Sequence, residues 1–124
     1  MRVARLADYK KFEFSNSDII EPNDGECLLK VKVVSVCGTD IRREFNKKWN
    51  SESYPQRDGM PCHEVVGEIY RSKSKLFKEG DRVLAVPTSD NGLQEYITLP
   101  EDRCLQRPDY GDYEDWVMCQ HSGT

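Results

Sequence analysis

A chain of 124 residues has room for one domain with one core, and is too short for a two-domain, cofactor-binding architecture. Charged residues make up 32% and hydrophobic residues 37%, so the core is modest and the solvated surface broad. The formal net charge of -4, with lysines and arginines scattered among acids, speaks against nucleic acid or an anionic membrane as the main partner.

The N-terminus, Met1 to Asp8, has no apolar leader, and no run approaches the roughly 20 apolar residues that cross a bilayer. Arg2 to Ala7 and Lys11 to Phe14 read as short strands around Asp8, and Glu21 to Gly25 is dense turn chemistry. The strongest strand is Glu26 to Val36, where Leu29, Val31 and Val33 alternate with Leu28, Lys30 and Lys32. It delivers Cys37 at its exit. Thr39 to Phe45 reads as a short helix with Asp40 near its start, and the polar, proline-containing stretch Asn46 to Pro61 as a loop. Glu64 to Arg71 resumes a strand, with Gly67 as a bulge or close backbone approach. The turn Glu79-Gly80-Asp81 feeds a strand at Arg82 to Val86, and Leu93 to Leu99 gives another. Asp112 then caps a helix over Tyr113 to Cys119, whose acids sit in its first turn.

Many short strands separated by turns, with helix confined to brief pieces, predict an all-β barrel or sandwich. Five cysteines at irregular spacing fit reduced thiols serving metal or packing, which places the protein in the cytoplasm. Cys27 and Cys104, in or beside strands, read as core.

Cys37 at one strand exit and His63 at the next strand entrance put a thiolate and an imidazole where one zinc ion can collect both. A catalytic zinc usually takes three protein ligands and leaves its fourth position for water or substrate; Cys119 is a candidate third, with His121 a competing one. The bland alternative is a buried thiol, a hydrogen-bonded histidine and a helix-packing cysteine. A zinc-bound imidazole normally gives its other N–H to a carboxylate, a role open to Asp40. Thr39 offers a hydroxyl for proton relay, and Glu64 is adjacent to the imidazole. Trp49 and Tyr54 either line a cleft or close over local core.

The run Val36 to Asp40, the pair His63-Glu64 with Gly67 following, the turn Lys78 to Val83 and the segment Gly92 to Tyr96 together resemble the catalytic domain of zinc-dependent medium-chain alcohol dehydrogenases, over roughly Val3 to Cys119. The resemblance implies a GroES-like fold, a partly open β-barrel, followed by a Rossmann domain that binds NAD or NADP. It implies one catalytic zinc on Cys37, His63 and Cys119, with Thr39 in the relay and Asp40 as imidazole partner. The substrate would be a small alcohol or polyol, or its carbonyl, and further copies of the chain would be the other partner. Residues Leu84 to Glu95 hold no cysteine, so a second, structural zinc is not expected. Cys62 stands where the family usually has glycine, a spare thiol beside the metal. No Gly-rich strand-to-helix turn of the dinucleotide type follows Cys119, so residues 1–124 by themselves are expected to be inactive. A second reading is a non-catalytic GroES-like binding module without a working metal site. A co-chaperonin ring subunit would give no reason for the cysteine and histidine placement.

Overall fold

The computed structural model of the chain describes residues 1–43, 54–108 and 110–118. In order come β1 (Arg2–Asp8), β2 (Lys11–Asn16), β3 (Glu26–Ser35), α1 (Gly38–Arg43), β4 (Glu64–Ser72), β5 (Arg82–Ala85), β6 (Tyr96–Pro100), a single 3-10 turn (Glu101–Arg103), β7 (Cys104–Gln106) and α2 (Tyr113–Met118). β1 and β2 form an antiparallel hairpin, and the other strands form one antiparallel sheet in the order β6-β3-β4-β5-β7. No helix among the described residues is long and apolar enough to cross a membrane.

The hairpin is fastened to the sheet through the backbone of β1. Ala4 N–H donates to the Leu93 carbonyl at 2.8 Å, while Glu95 donates to Arg2 at 3.2 Å and accepts from Val31 at 2.9 Å. On the same edge Gly59 N–H donates to Ala4 at 2.8 Å and Gln56 N–H to Leu6 at 2.9 Å, so residues 56–60 act as a strap. The expected strand from Leu93 therefore becomes regular only at Tyr96, because residues 93–95 divide their backbone groups among β1, Gly59 and Val31.

The core lies against one face of the sheet, where Cys27, Leu29, Val65, Ile69, Val83, Ala85, Ile97 and Leu99 pack together. Simple alternation places Val33 with Leu29 and Val31. The β3–β4 register instead shifts between Val31 and Val33, leaving Lys32 as an extra residue. Val34 consequently turns to the core with Val31, and Val33 faces the opposite side, where Val66, Leu84 and the α2 residues Tyr113, Trp116 and Val117 meet it. Gly67 sits opposite Val31 at this bulge, and a Cβ there would fall 2.2 Å from the Lys30 carbonyl oxygen. The close backbone approach expected at Gly67 is thus the condition for the bulge.

Candidate metal centre

Cys37 lies two residues beyond the end of β3 and immediately before α1. Asp40, three residues on, accepts the Cys37 backbone N–H with Oδ2 at 3.1 Å, the reach-back half of a capping box, while Ile41 N–H returns to the Cys37 carbonyl at 3.3 Å. This local bond aims the other carboxylate oxygen: Asp40 Oδ1 is 3.4 Å from His63 Nδ1. His63 arrives from the neighbouring strand, since β4 begins at Glu64, which pairs with Ser35 at the end of β3. Its Nε2 lies 3.3 Å from Cys37 Sγ. Carboxylate, imidazole and thiol stand in a row.

Asp40 is buried, at 3% exposure, whereas Cys37 and His63 are half-buried. Burial pushes the Asp40 carboxyl above its ordinary range; the Cys37 N–H and the His63 charge oppose this, and Asp90 and Glu64 add to it. Among the described residues, Cys37, Asp40 and His63 form a group whose donor atoms lie within 4.8 Å of one another. A sulfur and a nitrogen on one tetrahedral zinc stand about 3.6 Å apart, given Zn–S and Zn–N bonds of about 2.3 and 2.0–2.1 Å. The 3.3 Å between Cys37 Sγ and His63 Nε2 is within a small side-chain adjustment of that figure. With Nε2 turned to the thiol, Asp40 occupies the far side of the ring and suits the orienting role better than ligation.

Glu64 is fixed at the sheet end, where Ser35 Oγ donates to its carboxylate. Thr39 occupies the first turn of α1, two residues from Cys37 and half-buried. Cys62 is fully buried, and its thiol is pushed up to about 12, first by burial and then by the charges of Asp40, Cys37 and Glu64. A thiol held neutral in this way is a poor rival for a cation. Cys27 and Cys104 join the core as expected. Cys119, His121 and Trp49 lie outside the described residues. A groove of about 310 Å³ between the hairpin and the sheet, lined by residues that include Phe14, Val31, Val34 and Leu93, has none of the three donors in its wall.

Arg107 carries no mark in the sequence. Nothing about an arginine between Gln106 and Pro108 signals burial, yet it is 3% exposed. The available signal was its partner surface, Tyr113 and Trp116 three residues apart on one helix face.

Residues 23–109 match the family model of the alcohol dehydrogenase GroES-like domain. The NAD-dependent alcohol dehydrogenase of Sulfolobus acidocaldarius is 28% identical over 111 residues, covering 82% of this chain and 32% of that protein. L-galactonate-5-dehydrogenase of Escherichia coli is 33% identical over 93 residues, covering 70% and 25%. The chain therefore spans about a third of the first relative's length and a quarter of the second's. Among solved structures, galactitol-1-phosphate dehydrogenase from Escherichia coli shares the fold with a TM-score of 0.76 at 18% identity, covering 95% of this chain and 41% of that one. The open antiparallel sheet, with its fastened hairpin and, among the described residues, two short helices, is accordingly the GroES-like partly open barrel that the resemblance implied.

Proposed function

We propose, since this chain belongs to the alcohol dehydrogenase GroES-like domain family, that it is the substrate-side portion of a zinc-dependent oxidoreductase of the cytoplasm. Hydride would pass between a small alcohol or polyol, or its carbonyl, and NAD or NADP held by a nucleotide-binding domain outside residues 1–124. Cys37 and His63 would hold the zinc, with Cys119 as third ligand. When bound, the ion supplies a Lewis acid that lowers the pKa of an alcohol or polarises a carbonyl.

The chain's own residues do the rest. Asp40 holds the imidazole with its proton on Nδ1, which keeps the Nε2 lone pair turned toward Cys37. Its bond from the Cys37 N–H ties that orientation to the backbone that presents the thiol. Thr39 Oγ1 accepts the substrate hydroxyl proton and passes it outward. Glu64, restrained by Ser35, lends negative charge beside the donors without leaving the sheet end. The free thiols Cys27, Cys37, Cys62 and Cys104 suit a reducing compartment.

The observation that carries this reading is the thiol and imidazole 3.3 Å apart with a buried carboxylate behind the ring. Metal analysis of protein purified without chelators tests it. About one zinc per chain is expected, lost in Cys37→Ser and His63→Ala while circular dichroism keeps the fold. A folded, metal-free chain would overturn it in favour of a non-catalytic binding module.

A further inference from the structure

Gly92 reaches His63 through one backbone carbonyl. It is buried, and its N–H donates at 2.8 Å to the Cys62 carbonyl oxygen, which belongs to the peptide group joining Cys62 to His63. Because that group is planar, the direction of its carbonyl sets where the His63 Cα lies. On the other side of His63, Glu64 opens β4 in register with Ser35. The imidazole therefore hangs from a backbone tied at both ends, by the β3–β4 pairing after it and by Gly92 before it.

Gly92 has little room to retreat. Leu93 N–H donates to the Gly59 carbonyl at 2.8 Å, the Leu93 carbonyl accepts from Ala4 N–H at 2.8 Å, and Gly59 N–H donates to the Ala4 carbonyl at 2.8 Å, so the segment is closed into a ring with β1 and the strap. In front of it the space is taken. A Cβ at position 92 would fall 2.8 Å from Val65 Cγ2, 2.9 Å from the Cys62 carbonyl oxygen and 3.2 Å from Val34 Cγ2. Val34 and Val65 are paired across β3 and β4, Val65 is fully buried, and β-branched side chains have little rotamer freedom with which to yield. Any side chain at position 92 must thus displace either the Cys62 carbonyl or the Val34–Val65 pair, which is one step from Ser35–Glu64. Both displacements arrive at His63. Its Nε2 stands 3.3 Å from Cys37 Sγ, and a constellation of ligands tolerates errors of only about 0.5 Å.

We infer that Gly92 is a positioning residue for the metal centre: bare of a side chain and bonded to the Cys62 carbonyl, it holds His63 at the distance from Cys37 that one zinc ion requires. The inference rests on Cys37 and His63 as zinc ligands, the reading proposed above.

Zinc titrated against a chromophoric chelator on the full chain tests it, with Gly92→Ala set beside Gly67→Ala. The second substitution strains the same sheet, its Cβ 2.2 Å from the Lys30 carbonyl oxygen, but about 10 Å along β4 from Glu64. Both should lower the thermal midpoint of the metal-free protein. Gly92→Ala should weaken zinc binding roughly 10- to 100-fold, the range for groups that orient ligands, and Gly67→Ala less than about threefold. In metal-free protein at neutral pH the ¹⁵N shifts of the His63 ring should move in Gly92→Ala and stay in Gly67→Ala, a contrast that general loosening of the sheet would not produce. Zinc affinity within about twofold of the wild type in Gly92→Ala, or an equal loss in Gly67→Ala, overturns the inference. A wild-type chain that binds no zinc instead sinks the metal reading and the inference with it, a distinguishable result. If Gly92→Ala does not fold, the same substitution in a Val65→Ala background, where the Cys62 carbonyl is the closest remaining obstacle, is compared with Val65→Ala alone and carries the same expectation.

Discussion

Replacing Asp40 by asparagine removes one charge and one acceptor while keeping the shape, and the geometry fixes the outcome. The carboxylate serves two donors with separate oxygens, the Cys37 N–H on Oδ2 at 3.1 Å and His63 Nδ1 on Oδ1 at 3.4 Å. Asparagine has one oxygen for two seats. If its NH₂ faces Cys37, two donors oppose each other at a buried helix start, which costs about 1–3 kcal/mol. If the NH₂ faces His63, Nδ1 must become the acceptor and the ring proton moves to Nε2, the nitrogen 3.3 Å from Cys37 Sγ. A cation must then displace that proton and restore the other tautomer. By either route zinc affinity should fall about 10- to 100-fold, equivalent to about 1.4–2.7 kcal/mol. Zinc competition at neutral pH measures the loss, and ¹⁵N chemical shifts of the His63 ring identify the tautomer. An Asp40→Asn protein that binds zinc within twofold of the wild type, with Nδ1 still protonated, would refute the link between carboxylate and imidazole.

The same carboxyl gives a pH prediction for chelator-treated protein. Burial raises its folded-state pKa, so the protonated form stabilises the fold, and that contribution is lost as pH climbs from the ordinary carboxylate value through the raised one. In urea titrations wild type should therefore lose stability relative to Asp40→Asn over that climb; the opposite trend would reject the assignment. Gly67→Ala should destabilise the fold by about 1–3 kcal/mol, since a Cβ 2.2 Å from the Lys30 carbonyl forces the bulged strands apart. Thermal melts check this, and a change below about 0.5 kcal/mol would show that the strands yield more easily than close packing allows. Iodoacetamide at mildly alkaline pH should modify half-buried Cys37 well before Cys62, a fully buried thiol pushed up to about 12. Peptide mapping that finds Cys62 labelled first would contradict its burial.

Wherever chemistry repeats along the chain, the sequence was readable. The long alternating run predicted β3 to within a residue of its end and delivered Cys37 to the rim; the capped acidic segment predicted α2; Gly67 was marked as a close approach. Partnerships between distant segments left no such trace. The extra residue at Lys32 exchanges the faces of Val33 and Val34, and it depends on how β4 pairs rather than on anything local. β7, only Cys104 to Gln106, is held as a strand by β5 and is too short for periodicity to register. At the candidate site the structure brings Cys37, His63 and Asp40 together, a grouping that the family resemblance pointed to, since the spacing of Cys37 and His63 alone favours a buried thiol and a hydrogen-bonded histidine. The capping bond that aims Asp40, and the burial of Arg107 under α2, depend on packing that alternation does not encode.

The pairing of Ser35 with Glu64 has a consequence for how such a protein can diversify. Cys37 and His63 are 26 positions apart in the chain, yet their separation is set by two neighbouring strands hydrogen-bonded in fixed register. The chain between α1 and the strap at residues 56–60 can lengthen, shorten or change composition while the distance between the two donors stays the same. Sequence change between the two donors can thus accumulate without disturbing the strand register that sets their spacing.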